Sequence, residues 1–389
     1  MGMQVRIRLA SASLMVVLAA VVALATVQVA LGALNWDPAR PIPGFLARTL
    51  PPIMIADDNR TVHAFASQFV GDGDDEEDYV ERVIVYRQWT LADGWSDLND
   101  IVISPLKAQA RVKAVHLDDS GFFHLIFYGG DEQEANLYYT FAPAALAGNA
   151  HAWSEPVAIG PSPITPDVAG LVGDGKGNMV MVYSGNLGEG NTLYAVYSFD
   201  EGVSWTAPER VFSTFTSTEK AFDFQLSYGD SGAVHMVWNV TDKTGKNVSG
   251  YYARLDQLTP EGEWSEAVSL APSVQLGVAI PAVTEYDGEV FVMYNNGLGE
   301  SAAPVQWFQR SSDGGKTWSE PIRPFPNHIG RNGSISFVRD GSGTLHVFFG
   351  QRIPSGGDNK KYVRDMWHAT WRGGSWGAAG TGRVGQSAG

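Results

Sequence analysis

Six tryptophans, Trp95, Trp153, Trp205, Trp264, Trp318 and Trp376, recur every 52 to 59 residues along 389, and five of them are followed by Ser or Thr. A second marker keeps the same step. Gly121, Gly177, Gly232, Gly288 and Gly343 each precede an apolar or alternating run and lie 55 or 56 residues apart. Two markers with one period describe an array of repeated units.

Within the fifth unit the pattern predicts four short strands, over 278–286, 289–294, 305–310 and 318–323, with turn residues between them. Aromatic and β-branched residues fill these runs, and beyond residue 36 no stretch of ten or more keeps a helical apolar stripe. Six four-stranded sheets around an axis make a six-bladed β-propeller, an all-β fold that buries blade faces against each other and leaves few sheet edges open. The ring is expected to close in one of two ways. Either residues 36–42 add an outer strand to the last blade, or the segment of Trp376 supplies it.

Residues 1–35 are a different material. Arg6 and Arg8 precede a run from Leu9 to Leu34 without a charge, about 26 residues, longer than the apolar core of a signal peptide and long enough to span a bilayer. The expectation is an N-terminal hydrophobic helix acting as a membrane anchor through residues 9–34. Its arginines stay inside, and the propeller of residues 36–381, with a tail over 382–389, faces outward. The alternative is a secretory signal cut near Gly32. The chain has no cysteine, which excludes a lipidated-cysteine anchor and disulfides.

A formal charge of -15 argues against nucleic acid as a partner. The densest acidic run, Asp72 and Asp74 to Asp78, lacks a full calcium-loop pattern and reads as a solvated loop. No metal and no cofactor is implied.

The segments Ser198-Phe199-Asp200-Glu201-Gly202-Val203-Ser204-Trp205 and Ser311-Ser312-Asp313-Gly314-Gly315-Lys316-Thr317-Trp318 share the pattern Ser-x-Asp-x-Gly-x-Ser/Thr-Trp where a third strand turns into a fourth. This resembles the Asp-box, or bacterial neuraminidase repeat, of the sialidase superfamily. Degenerate versions stand at Asp93-Gly94-Trp95, Gly262-Glu263-Trp264 and Gly374-Ser375-Trp376. The physical reading is structural. An Asp can accept backbone N–H bonds, Gly permits positive φ, and Trp fills the space between blades. His63, His124, His235 and His346 occupy one repeat position in second strands and read the same way.

The resemblance implies three arginines gripping a carboxylate, a Tyr nucleophile polarised by a Glu, and an Asp acid/base. The family's first-arginine motif has no clean match: the corresponding place reads Arg48-Thr49-Leu50-Pro51, while Arg352-Ile353-Pro354 matches as letters in the wrong blade. Strand order puts links from fourth to first and from second to third strands on the rim away from the Asp-box turns. Arg48, Arg111, Asp167, Glu219, Lys220, Asp223, His328, Arg331 and Arg352 are therefore the candidate ligand-binding residues. Three functions fit: a membrane-anchored propeller that binds a glycan or protein at that rim, an exo-sialidase or related retaining glycoside hydrolase, or an assembly subunit of a membrane complex.

Overall fold

The computed structural model describes residues 40–46, 49–70, 81–105, 109–130, 135–159, 169–185, 192–213, 219–242, 244, 247–270, 278–296, 305–326, 331–354 and 362–382. The hydrophobic segment of residues 9–34 and its expected helix lie outside these. No helix among the described residues is long and apolar enough to cross a membrane.

Six antiparallel sheets follow one another along the chain. Blade 1 runs through Ile53–Ala56, Val62–Val70 and Glu81–Thr90, with an outer strand in two pieces, Gly94–Trp95 and Asn99–Val102. Blade 2 is Ala110–Leu117, Phe122–Gly130, Ala135–Pro143 and Val157–Ile159; blade 3 is Ala169–Gly173, Met179–Gly185, Thr192–Ser198 and Glu209–Ser213. Blade 4 is Lys220–Tyr228, Val234–Thr241, Asn247–Leu255 and Val268–Leu270. Blade 5 has only Ala279–Tyr286, Glu289–Asn295 and Gln306–Ser311. Blade 6 is Arg331–Arg339, Leu345–Pro354 and Tyr362–Arg372, again with a divided outer strand, Ser375–Trp376 and Gly380–Gly382.

One expectation is corrected. The fourth strand predicted over 318–323 in blade 5 shrinks to a single bridge between Phe308 and Ile322. Pro321 and Pro324 flank that bridge, and neither has an N–H to extend a ladder. Of the two ways expected to close the ring, the segment of Trp376 is seen on the third strand of its own blade 6, as is a second outer piece; residues 36–39 of the other candidate lie outside the described residues. The chain entering at Arg40 lies on blade 1. Phe45 packs with Ala66, Val83 and Val85, on the face opposite Phe65, Ile84 and Tyr86, which pack with blade 2. Pro43 O accepts from Arg87, and Leu46 N and Thr49 Oγ1 both donate to Gln68 Oε1.

The periodic sequence markers have local causes. The residue after each tryptophan returns to the third strand: Ser96 N donates to Gln88 O while Ser96 Oγ accepts from Gln88 N. Ser154, Thr206, Ser265 and Ser319 repeat this two-point bond on Phe141, Tyr197, Arg254 and Arg310. Gly377, with no hydroxyl, keeps only the backbone bond to Thr370. The periodic glycines all have φ between 74° and 97°, in the turn between first and second strands. Blade 1 fills that position with Arg60 at φ 62°, which hid it from the glycine count.

Each tryptophan from Trp153 onward reaches the preceding blade. Trp205 meets Tyr139 and Trp318 meets Tyr252 edge-on at 5.0 and 4.9 Å between ring centroids, and Trp264 Nε1 donates to Tyr197 Oη at 2.7 Å. The two Ser-x-Asp-x-Gly turns are wired alike. Asp200 accepts from Ser204 N at 2.9 Å and Ser204 Oγ at 2.6 Å, while Ser198 Oγ accepts from Gly202 N at 2.9 Å. Asp313, Thr317, Ser311 and Gly315 repeat this at 2.9, 2.6 and 2.8 Å.

The four repeat histidines do not converge. Each makes a clasp with its own third strand: His63 Nδ1 with Tyr86 Oη, His124 with Tyr139, and His235 with Tyr252, all at 2.7 to 2.8 Å. In blade 6 His346 Nδ1 meets His368 Nε2 at 2.7 Å. An acid backs the other ring nitrogen of the clasps in blades 2, 4 and 6: Asp118 at 3.1 Å, Glu285, reaching over from blade 5, at 2.9 Å, and Asp340 at 3.0 Å.

Candidate functional site

The rim away from those turns carries an unusual pair of cations. Arg82, second residue of its strand in blade 1, is only 8% exposed and lays its guanidinium 4.0 Å from the centre of the Phe69 ring. Its Nε is buried without a hydrogen-bond partner. Arg111, on the inner strand of blade 2, faces the Tyr128 ring at 5.9 Å and donates from Nε to Gln109 Oε1 at 2.8 Å. A backbone bridge between Arg82 and Gln109 joins the two blades here. Burial pulls the Arg82 pKa down from its usual value, and the Arg111 charge lowers it further, so the two guanidinia feel each other. Among the described residues no carboxylate pairs with either, whereas Arg310 and Arg339 on the opposite rim have Glu289 and Asp230. Two half-stacked guanidinia, one of them desolvated and neither paired with a carboxylate among the described residues, have the chemistry to receive an anion.

A second group lies on blade 4. The register of its inner strand slips between Phe222 and Phe224, so Asp223 is a bulge residue. Burial raises the Asp223 pKa above the usual carboxylate value, against the lowering effect of the Ile280 N–H and of Asn239, whose Nδ2 is 3.4 Å away. Ile280 itself stands at a register slip in the neighbouring inner strand, at φ 47°. Glu219, just before this strand, has a buried Oε2 without a partner. Lys113 is the corresponding bulge residue of blade 2, one step from Val112.

Of the nine residues expected at the rim, Arg48, Asp167 and His328 lie outside the described residues. The other six fall into three groups. Arg111 joins Arg82; Glu219, Lys220 and Asp223 share blade 4; Arg331 and Arg352 are paired directly opposite each other in blade 6. Five of the six stand in strands, where sequence reasoning put them in loops: Arg111, Lys220, Asp223, Arg331 and Arg352. Arg82 was missed. The rule that places links between second and third strands at this rim would have found it, since it follows directly on the acidic 72–78 link. Tyr128, read as packing from the repeat, turns out to face Arg111, while Tyr183 and Tyr294 are fully buried.

No protein-family model and no curated protein sequence matches the chain. Solved structures do. An ulvan lyase, described as founding a new family of polysaccharide lyases, superimposes with a TM-score of 0.60 at 11% identity, covering 84% of this chain and 82% of its own. A protein of unknown function from Dyadobacter fermentans gives 0.53 at 12% identity, covering 82% and 93%. The α-L-arabinanase of Penicillium chrysogenum, solved with arabinobiose, gives 0.50 at 14% identity, covering 79% and 91%. The class is thus a six-bladed all-β propeller whose structural neighbours include polysaccharide lyases and propeller glycosidases. These likenesses, all far below the range where sequence carries function, define the fold. The sialidase resemblance of the two turns finds no counterpart in them.

Proposed function

We propose that this chain is a glycan-binding propeller whose ligand carries an acidic group, carboxylate or sulfate, held by Arg82 and Arg111. The carrying observation is the unpaired Arg82 Nε beside a second guanidinium that, among the described residues, has no carboxylate partner. The aromatic rings of Phe69 and Tyr128 next to the two cations suit a sugar ring stacked beside its charged substituent. Structural neighbours that act on polysaccharides support the ligand class. In this reading residues 9–34 hold the propeller outside a membrane, and a glycan reaches it from the extracellular side.

The test is calorimetric titration with an oligogalacturonate against a neutral oligogalactoside of the same length. The acidic oligomer should bind at least about tenfold more tightly, and Arg82→Ala or Arg111→Ala should erase that preference. Equal affinity for the two oligomers sinks the proposal. Asp223 favours a second reading, hydrolysis, because burial raises the pKa of its carboxyl, the direction a general acid needs. Release of reducing ends from the bound oligomer, abolished in Asp223→Asn, would promote it.

A further inference from the structure

Where blade 5 lacks its fourth strand, at the junction with blade 6, a cleft of about 390 Å³ opens on the outer side of the ring. Phe308, Ile322, Trp371 and Trp376 form its apolar wall. Arg310, Glu320 and Arg323 line it as well, and all three are exposed. Trp371 and Trp376 are half-buried and meet at 5.2 Å and 67°.

The junction of blade 3 with blade 4 shows what the repeat places there. Tyr197 stands where blade 5 has Arg310, since Thr206 and Ser319 hold them by the same two-point bond. Glu209 stands where blade 5 has Ile322: the first pairs with Ala195, the second bridges to Phe308, each two residues before. Tyr197 Oη donates to Glu209 Oε2 at 3.3 Å and accepts from Trp264 Nε1 at 2.7 Å. A six-membered ring with a hydroxyl thus occupies these positions, joined to an acid and an indole. In blade 5 neither the ring nor the acid remains. Arg310 turns to Glu289 at 3.3 Å, and Ile322 is left 55% exposed.

We propose that this cleft binds one pyranose unit of an uncharged glycan, its ring against Trp371 and Trp376 where blade 3 carries a tyrosine ring. The volume is far above that of an ion and within the range of small-ligand sites. Tryptophan faces suit the apolar side of a sugar ring. Beside them Arg310 and Arg323 only donate and Glu320 only accepts, so hydroxyls, which do both, find a partner on every side. An anion would meet Glu320, and a cation the two arginines. A tyrosine side chain from a protein partner has the right ring but one hydroxyl, which leaves most of these groups unused. The site is separate from the Arg82 and Arg111 rim and does not rest on the reading of that rim, because its ligand needs no acid group.

The experiment labels the full chain with 5-fluorotryptophan and reads it by fluorine NMR, the Trp371 and Trp376 signals being assigned from Trp371→Phe and Trp376→Phe. The methyl β-pyranosides of glucose, galactose and mannose are titrated, with N-acetyl-tyrosine amide beside them. The expected result is a saturable shift of both signals with at least one of the sugars. Arg310→Tyr combined with Ile322→Glu rebuilds the blade 3 filling and should abolish that shift. Glu320→Gln, at an exposed position where the fold does not depend on the side chain, should weaken binding about threefold to tenfold. Val203→Ala, on an exposed turn of blade 3, should leave binding unchanged. No shift with any of the sugars, a shift that survives the refilled cleft, an affinity unmoved by Glu320→Gln, or tighter binding of the tyrosine amide would each overturn the proposal.

Discussion

At the junctions of blade 2 with 3 and of blade 4 with 5, a His–Tyr clasp receives a fully wired Ser-x-Asp-x-Gly turn. At the junctions of 3 with 4 and of 5 with 6, the same two positions are Val180 with Ala195, and Phe291 with Phe308. There the incoming turns are the degenerate Gly262-Glu263-Trp264 and Gly374-Ser375-Trp376, and Trp376 meets Phe308 at 5.7 Å. At these four junctions the polar partners occur together or not at all. A lone member would leave a buried donor or acceptor unpaired, which costs about 1–3 kcal/mol, whereas replacing the whole set by apolar groups is near neutral. One backbone repeat thus tolerates two chemistries, provided each is complete.

The largest expected break in that comparison is at the turn glycines. Gly202 and Gly315 have φ of 84° and 91°, and a Cβ there would run into Tyr139 and Tyr252. Gly202→Ala and Gly315→Ala should each cost about 2–4 kcal/mol in urea unfolding, combining backbone strain with overpacking. Gly288→Ala, at φ 74° with nothing within 4 Å of its Cβ, carries only the backbone part, about 1 kcal/mol. Equal losses at the three sites would show that the tyrosine contact is irrelevant.

Next comes pH. Beside the blade 2 clasp, burial and the neighbouring His124 push the His116 pKa down to about 4. A folded value below the unfolded one near 6.5 means that its contribution is whole above pH 6.5. It is lost as pH falls toward 4, because the unfolded chain takes up the proton first. Stability should drop by about 3 kcal/mol across that window, and His116→Gln should flatten the curve. A curve unchanged by the substitution would remove His116 as the cause.

Tyr252→Phe sharpens the comparison further, since it strips His235 Nδ1 of its partner and should cost about 1–2 kcal/mol. Restoring part of that loss with His235→Phe in the same chain, as in blade 5, would confirm that completeness is what matters. The smallest effect is expected at Asp313, fully exposed. Hydrogen bonds from the Thr317 hydroxyl and backbone N–H hold its pKa well below the usual carboxylate range. Its contribution is present above the unfolded value near 3.8 and fades as pH falls below it, so Asp313→Asn should alter only the acid limb of an unfolding profile.

The fold was legible because the periodic residues do periodic work: the hydroxyl after each tryptophan bonds its third strand, and the glycines fill one left-handed turn position. Blade 1 was harder to see at that turn because Arg60 adopts the same φ without being glycine. Blade 5 lost its outer strand to prolines whose effect on pairing depends on the neighbour they face. The rim was less legible for a geometric reason. A register slip of one residue moves Asp223 out of the alternation that a sequence reader counts, and Arg82 becomes notable only when Arg111 from another blade stands beside it.

Among the described residues every sheet is woven from consecutive chain, blade 6 pairing its own outer pieces. Each blade can form its own ladder as soon as its stretch of about 50 residues has left the ribosome, without waiting for the opposite end of the polypeptide. A ring assembled in order of synthesis keeps two blade faces open until it closes, that of the first blade and that of the newest, and the next tryptophan docks onto the newest.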